Sequence, residues 1–312
     1  MDRYQLQEIS IKEFEGISLG HAQNKEAGTG VSVLYFEKGA QVGSDISGGG
    51  PASRETPLTS PVTAANPVNA IVLSGGSAYG LAASDGVMRC LEEHGIGYDT
   101  GVALVPLVCQ SCIFDLGYKS ASVRPDAAMG YEACLQALKA EGGEVPADGQ
   151  IGVATGATVG KLMGMDYASK TGLGYYGVQI GEFKMGALVA VNALGDIIDP
   201  ASGQIISGLK KDGVFPDSRK LLLDMMKPRD LFTGNTTIGA VFCNADFNKA
   251  ELTKIASMTR NAYARCICPV GTLADGDTIY AAAMGDLKVD INMAGTLAAY
   301  VMEQAIMRAC RI

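Results

Sequence analysis

The stretch Gly-Asn-Thr-Thr-Ile-Gly-Ala-Val-Phe-Cys, residues 234–243, joins two kinds of sequence at one point. From Thr236 to Cys243 the chain is apolar, which is typical of a buried strand. The preceding residues 209–235 are polar, charged and interrupted by prolines, which predicts an exposed linker with a short helix from Ser218 to Met226. A flexible segment that ends at a core strand is a place where a chain can be cut without losing its fold.

Helix-like and strand-like periodicities alternate through the rest of the chain, and no internal repeat interrupts them. The pattern predicts strands over 31–36, 102–108, 186–194 and 277–284, and helices over 77–94, 126–141, 248–266 and 288–310. Helices and strands interleaved around one core predict a single α/β domain of residues 1–312.

Composition excludes several classes of protein. Hydrophobic residues make up 47% of the 312 residues and the net charge is −8, so a large core is expected and neither nucleic acid nor an anionic membrane is a plausible partner. No run of about 18 apolar residues predicts a membrane span. The first 15 residues are acidic and lack the apolar region of a secretory signal, so a cytoplasmic protein is expected.

The chain has only two histidines, His21 and His94. A His-rich metal site is therefore excluded, and a hydrolase built on this sequence needs a base other than histidine. Ser77, in Gly-Gly-Ser-Ala-Tyr-Gly, is better explained as the N-cap of a helix than as a nucleophile.

Thr236 offers an alternative base if the bond before it is cut. A threonine hydroxyl is a weak nucleophile, but a freed α-amino group has a pKa of about 7.7–8.0, against about 10.4 for lysine, and can accept its proton. Asp275 and Asp277 lie two apart in an extended segment and point to one face, where they could orient that amine. The alternative interpretation is a turn before a strand and an acidic turn between strands.

Several short motifs, in order along nearly the whole chain, resemble the P1 family of peptidases. This family comprises L-aminopeptidase/D-amidase-esterases, β-peptidyl aminopeptidases and a related nylon-oligomer hydrolase. The matching stretches are residues 20–21, 28–33, 75–81, 113–117, 156–161, 170–174, 189–193, 235–237 and 275–278.

The resemblance implies self-cleavage between Asn235 and Thr236, into an α chain of residues 1–235 and a β chain of residues 236–312. It implies a four-layer αββα sandwich like that of N-terminal-nucleophile hydrolases, an assembly of four copies, and no metal or organic cofactor. The implied activity is an aminopeptidase or amidase that acts on a small peptide or similar amide with Thr236 as nucleophile.

The resemblance also assigns the remaining site residues. Asn192 matches an asparagine that donates to the oxyanion, and Tyr118 matches an active-site tyrosine. Lys161 is similar to a lysine near the nucleophile, and Asp275 and Asp277 to a pair of aspartates.

One departure and two alternatives stay open. Leu116 stands where aminopeptidase members of the family have an acidic residue that holds the substrate's amino terminus, so a free amine is not expected to be a strict requirement. One alternative is an uncleaved structural or binding homologue without activity. The other is a zinc protein built on the cysteines at positions 109, 112, 266 and 268, although both cysteine pairs lie in apolar runs.

Overall fold

The computed structural model describes residues 6–139, 146–225 and 234–311. The α-helices in these ranges are α1 Ala83–Glu93, α2 Ala127–Lys139, α3 Ser218–Asp224, α4 Lys249–Cys266 and α5 Ile291–Ala309. The strands are β1 Gln7–Glu8, β2 Ile17–Asn24, β3 Thr29–Ile46, β4 Ala52–Arg54, β5 Val68–Ser74, β6 Tyr98–Asp99, β7 Leu104–Val105, β8 Val108–Cys112, β9 Thr158–Val159, β10 Ser169–Lys170, β11 Leu173–Ile180, β12 Phe183–Ala190, β13 Asp196–Ile198, β14 Ile205–Ser207, β15 Ile238–Ala245, β16 Ile267–Cys268 and β17 Thr278–Leu287.

Strand β3 belongs to two layers of sheet because it is long enough to pair twice. Its first half pairs with β2 and β5, in a layer ordered β2-β3-β5-β8-β4. Its second half pairs with β17, in a layer ordered β1-β11-β12-β15-β17-β3. Within these layers β15 runs parallel to β17 and β5 runs parallel to β8, and the other pairs are antiparallel.

Three hydrophobic clusters show how the layers stack. One cluster, which includes Tyr263, lies between helices α4 and α5 and the layer of β15. A second, which includes Val87, lies between helices α1 and α2 and the layer of β5. The third lies between the two layers and includes Phe36 and Phe242, while the neighbour Val241 faces the helices. The predicted α/β four-layer sandwich is therefore confirmed.

Several predicted element boundaries differ from the structure. The stretch predicted as one strand over 102–108 contains the two-residue strand β7, Leu104–Val105, and only the first residue of β8, and Val102 is 94% exposed. Pro106 divides that apolar run because proline cannot donate to a strand ladder. Ser77 is not the N-cap of its helix: it starts a 3₁₀ turn with φ 54°, after Gly76 in the capping position.

The stretch predicted as an exposed linker is buried at four of its described residues, namely Leu209, Ser218, Gly234 and Asn235. Leu209 and Ser218 are buried because the Asp196 carboxylate accepts the N–H of each, at 2.8 and 2.7 Å, and the Ser218 hydroxyl. The predicted short helix is α3, and residues 226–233 of the linker lie outside the described residues. No helix in the described ranges is both long and apolar enough to cross a membrane.

Candidate functional site

Thr236 lies just ahead of β15, a central strand of its layer, and only 4% of its surface is exposed. Its backbone N–H donates to the carbonyl oxygen of Asn192 at 2.9 Å. Its hydroxyl donates to the carbonyl oxygen of Asn235. The hydroxyl is therefore next to the peptide bond that the sequence predicts to be cut.

The carbonyl of Asn235 has a second donor from the facing loop. The Gly276 N–H donates to it at 2.9 Å, and the Asn235 N–H donates to the Ala274 carbonyl at 3.3 Å. A β-carbon at position 276 would lie 2.8 Å from the Thr236 hydroxyl oxygen, so the loop can approach this closely only with glycine there.

Lys161 and Asn192 meet beside this bond. The buried Lys161 ammonium donates to the Asn192 carbonyl and side-chain oxygens, both at 2.9 Å, and to the Gly234 carbonyl at 3.3 Å. Burial lowers the pKa of Lys161 to about 7, although the nearby carboxylates of Asp275, Asp115 and Asp277 oppose this. The Asn192 amide donates to the Phe114 carbonyl at 3.0 Å.

The two aspartates bind the backbone around Thr236. Asp277 accepts the N–H of Thr237 at 2.7 Å and that of Gly271 at 3.1 Å. Asp275 accepts both the N–H and the hydroxyl of Thr272, at 2.8 and 2.7 Å. Burial, and then repulsion from Asp275, raise the pKa of Asp277 to about 7. In the uncut chain the pair therefore holds the residue after Thr236 and the facing loop.

Tyr118 lines a small cavity together with Phe114, Asp115, Thr158 and Gly234, among others. The ring of Tyr118 has the ammonium groups of lysines 119 and 170 each 5.6 Å from its centroid. The predicted site residues on four separate stretches thus come together around residues 234–236.

Sequence reasoning missed Asp115 and Phe114, which lie in the quoted stretch 113–117. The buried Asp115 carboxylate accepts the Thr29 hydroxyl and the Gly76 N–H, both at 2.7 Å, so it ties this loop to both neighbouring segments. Burial raises its pKa. An acidic residue inside an apolar stretch was the signal that could have identified it.

The four cysteines of the zinc alternative do not form one site. Cys109 packs in the cluster between the two layers, whereas Cys266, the last residue of α4, packs in the cluster between helices α4 and α5 and the layer of β15. Burial raises the pKa of both thiols to about 12, which disfavours the thiolates that zinc requires. Within residues 6–139, 146–225 and 234–311, no three His, Cys, Asp or Glu side chains are grouped so as to hold a metal ion.

Comparison with known proteins identifies related sequences. The sequence profile of peptidase family S58 matches residues 10–311. An uncharacterized aminopeptidase of Mycobacterium bovis is 37% identical over 298 residues, which cover 90% of this chain and 83% of the relative. The 6-aminohexanoate-oligomer endohydrolase of a Kocuria species is 31% identical over 319 residues, which cover 96% of this chain and 85% of that enzyme.

A solved structure shares the fold. The L-aminopeptidase D-Ala-esterase/amidase of Ochrobactrum anthropi, described as a new variant among the Ntn hydrolase fold, superposes with a TM-score of 0.67. The match covers 96% of this chain and 85% of that one, at 15% sequence identity.

Proposed function

The chain belongs to peptidase family S58 and is a hydrolase of amide bonds. We propose that it cuts itself between Asn235 and Thr236 and then uses Thr236 as its nucleophile. The observation that carries the proposal is the hydrogen bond from the Thr236 hydroxyl to the Asn235 carbonyl, in a site with almost no exposed surface. A hydroxyl held there is close to the carbonyl carbon that it must attack.

In the self-cleavage step, Thr236 Oγ1 bonds to the carbonyl carbon of Asn235. The negative charge develops on the Asn235 oxygen, where the Gly276 N–H donates at a distance suited to an oxyanion. The C–N bond then breaks, and the hydroxyl proton passes to the departing nitrogen. The resulting ester is cleaved by water, which leaves a carboxylate on Asn235 and a free amine on Thr236.

In turnover, the freed amine of Thr236 takes the hydroxyl proton while the oxygen attacks the substrate amide. Thr236 is almost fully buried, and burial disfavours a positive charge on the freed amine, which favours its neutral, proton-accepting form. Asn192 and Tyr118 stabilise the oxyanion, and water releases the acyl group. Asp277 acts through Thr237 to hold the nucleophile in place.

Small peptides and similar amides are the proposed substrates. The names of the relatives support this class, since they describe aminopeptidases and an enzyme that cuts 6-aminohexanoate oligomers internally. With Leu116 in place of an acidic residue, a free α-amino group is not strictly required. The assembly of four copies and the cytoplasmic location stay predictions.

Intact-mass measurement of freshly purified protein tests self-cleavage. The 32.4 kDa chain should appear as fragments of about 24 and about 8 kDa by residue count, the smaller one beginning with threonine. Thr236→Ala should stay whole, whereas the control Thr237→Val, at the adjacent buried threonine, should still be cut. A protease-free preparation of Thr236→Ala that is cut at 235/236 would overturn the mechanism, and an intact, inactive wild-type chain would favour the non-catalytic alternative.

Substrate choice is tested on the processed enzyme with p-nitroanilides of free and N-acetylated amino acids and with a linear aminohexanoate oligomer. Turnover of acetylated substrates is expected because no acidic group stands at position 116. Exclusive turnover of free-amine substrates contradicts this part of the proposal and would mean that another carboxylate holds the amine.

A further inference from the structure

Residues 234–235 of the uncut chain occupy the place of a substrate's acyl part. If Thr236 attacks the carbonyl of Asn235, then whatever precedes that carbonyl lies on the acyl side of the site. Three backbone groups there have partners: the Gly234 carbonyl accepts from Lys161, the Asn235 N–H donates to the Ala274 carbonyl, and the Asn235 carbonyl accepts from Gly276. Uncut, the chain thus resembles a bound N-acylated amide.

The residue before the acyl residue has little space for a side chain. Gly234 has φ 65°, in the left-handed region where L-residues are disfavoured. A β-carbon at this position would overlap the ring of Phe114. The same ring and the same glycine line the small cavity that also contains Tyr118.

We propose that the processed enzyme has a binding subsite formed by Phe114, Lys161 and Ala274. The subsite binds the part of the substrate that precedes the acyl residue, as Gly234 precedes Asn235, and it selects a unit without a side chain. This inference rests on the proposed function. Its ligand is an amide whose carbonyl oxygen accepts from Lys161. The carbon bonded to that carbonyl carries no side chain, so the unit is a glycyl residue or a straight methylene chain. The subsite then accommodates substrates that continue beyond the acyl residue on its amino-terminal side.

The segment 234–235 has to vacate this subsite after cleavage. Its last residue then ends in a carboxylate. Lys161, which donates to the Gly234 carbonyl, and Gly276, which donates to the Asn235 carbonyl, are the donors that a substrate takes over. The new carboxyl end of the α chain is therefore the first competitor for the subsite.

The test compares three p-nitroanilides on processed wild-type enzyme: free Asn, N-acetyl-Gly-Asn and N-acetyl-Ala-Asn. The glycyl substrate should exceed the alanyl one in kcat/KM by at least about a hundredfold, since ring overlap adds to backbone strain. In Phe114→Ala the ratio should fall to about tenfold, because the strain of a left-handed L-residue remains. The control Tyr98→Ala, at an exposed aromatic residue in the separate two-stranded sheet of β6 and β7, should keep the wild-type ratio.

The outcomes separate this inference from the proposed function. Turnover of the free-amine substrate alone, or equal turnover of the glycyl and alanyl substrates by wild type, overturns the subsite while amide hydrolysis stands. Absence of turnover for all three, in enzyme shown by mass to be processed, together with none of the aminohexanoate oligomer, overturns the proposed function itself. The wild-type comparison needs no variant, so misfolding of Phe114→Ala does not leave the inference untested.

Discussion

Asp277→Asn should lower both the stability and the activity of the protein, for separate reasons. Both carboxylate oxygens of Asp277 accept a backbone N–H, from Thr237 and from Gly271, and the residue is 1% exposed. Asparagine offers one acceptor oxygen and turns its NH₂ group towards the other N–H. A buried donor without a partner costs about 1–3 kcal/mol, so the midpoint of thermal unfolding should fall by a few degrees.

The stability difference should depend on pH with a definite sign. The pKa of Asp277 is raised from 3.8 to about 7 in the folded protein. Its protonated form therefore stabilises the wild-type fold fully below pH 3.8, and this contribution is lost as the pH rises through about 7. Because asparagine does not titrate, the variant should approach wild type in stability between pH 4 and pH 8.

Urea unfolding at pH 5 and at pH 8 measures this change. Asp246→Asn, at the opposite end of β15 and half-exposed, is the control and should show no such trend. A gap between wild type and Asp277→Asn that widens as the pH rises refutes the raised pKa of Asp277.

Activity of the processed enzyme tests the role of the charge. Hydrogen bonds to a charged group contribute about 1.5–3 kcal/mol, so turnover by Asp277→Asn at pH 8 should be reduced about ten- to a hundredfold. At pH 6, where the wild-type carboxyl is mostly protonated, the two enzymes should differ less. Near-normal turnover at pH 8 by a folded, fully processed variant refutes the assignment of Asp277.

Three further outcomes are expected. Lys161→Met should slow self-cleavage at least about tenfold in a time course of intact masses, since it removes charged hydrogen bonds at the cut site. Gly234→Ala should block cleavage through overlap with Phe114, whereas the control Gly181→Ala, also left-handed but in open space, should be cut normally. Burial lowers the pKa of His21 from 6.5 to about 4. The neutral imidazole therefore contributes up to about 3 kcal/mol to the free energy of unfolding, and this contribution is lost as the pH falls from 6.5 to 4. Chemical denaturation of wild type and His21→Gln across that range measures the loss.

The meeting of the two main motifs could be anticipated only in part from the sequence. An apolar strand follows both Thr236 and Asp277, and this pattern is visible in the sequence. In the structure these strands pair in parallel, with Ile238 opposite Thr278, which places residues 235–237 beside 275–277. The parallel register depends on the whole sandwich and is not encoded locally, so the sequence predicted the motifs without their geometry.

Other features were missed because they lie in backbone groups and long-range contacts. Gly276 donates through its backbone N–H, which every residue type except proline has, so its hydrogen bond to the Asn235 carbonyl is not visible in the sequence. Phe114 limits the space at Gly234, 120 positions along the chain. Tyr118, Lys161 and Asn192 were identified through the resemblance to a known family. Their spacing alone would not have separated them from other polar residues.

Cleavage at the proposed bond leaves the sheet intact. The pairing of β15 with β12 and with β17 begins at Ile238 on both sides, so the bond before Thr236 lies outside the ladder. Thr236 keeps its hydrogen bond to the Asn192 carbonyl, and Thr237 keeps its bond to Asp277. Asn235 joins the sheet through an isolated bridge to Asp275. Because strand β15 fixes the position of Thr236, the residues before it can leave without any strand pair being broken.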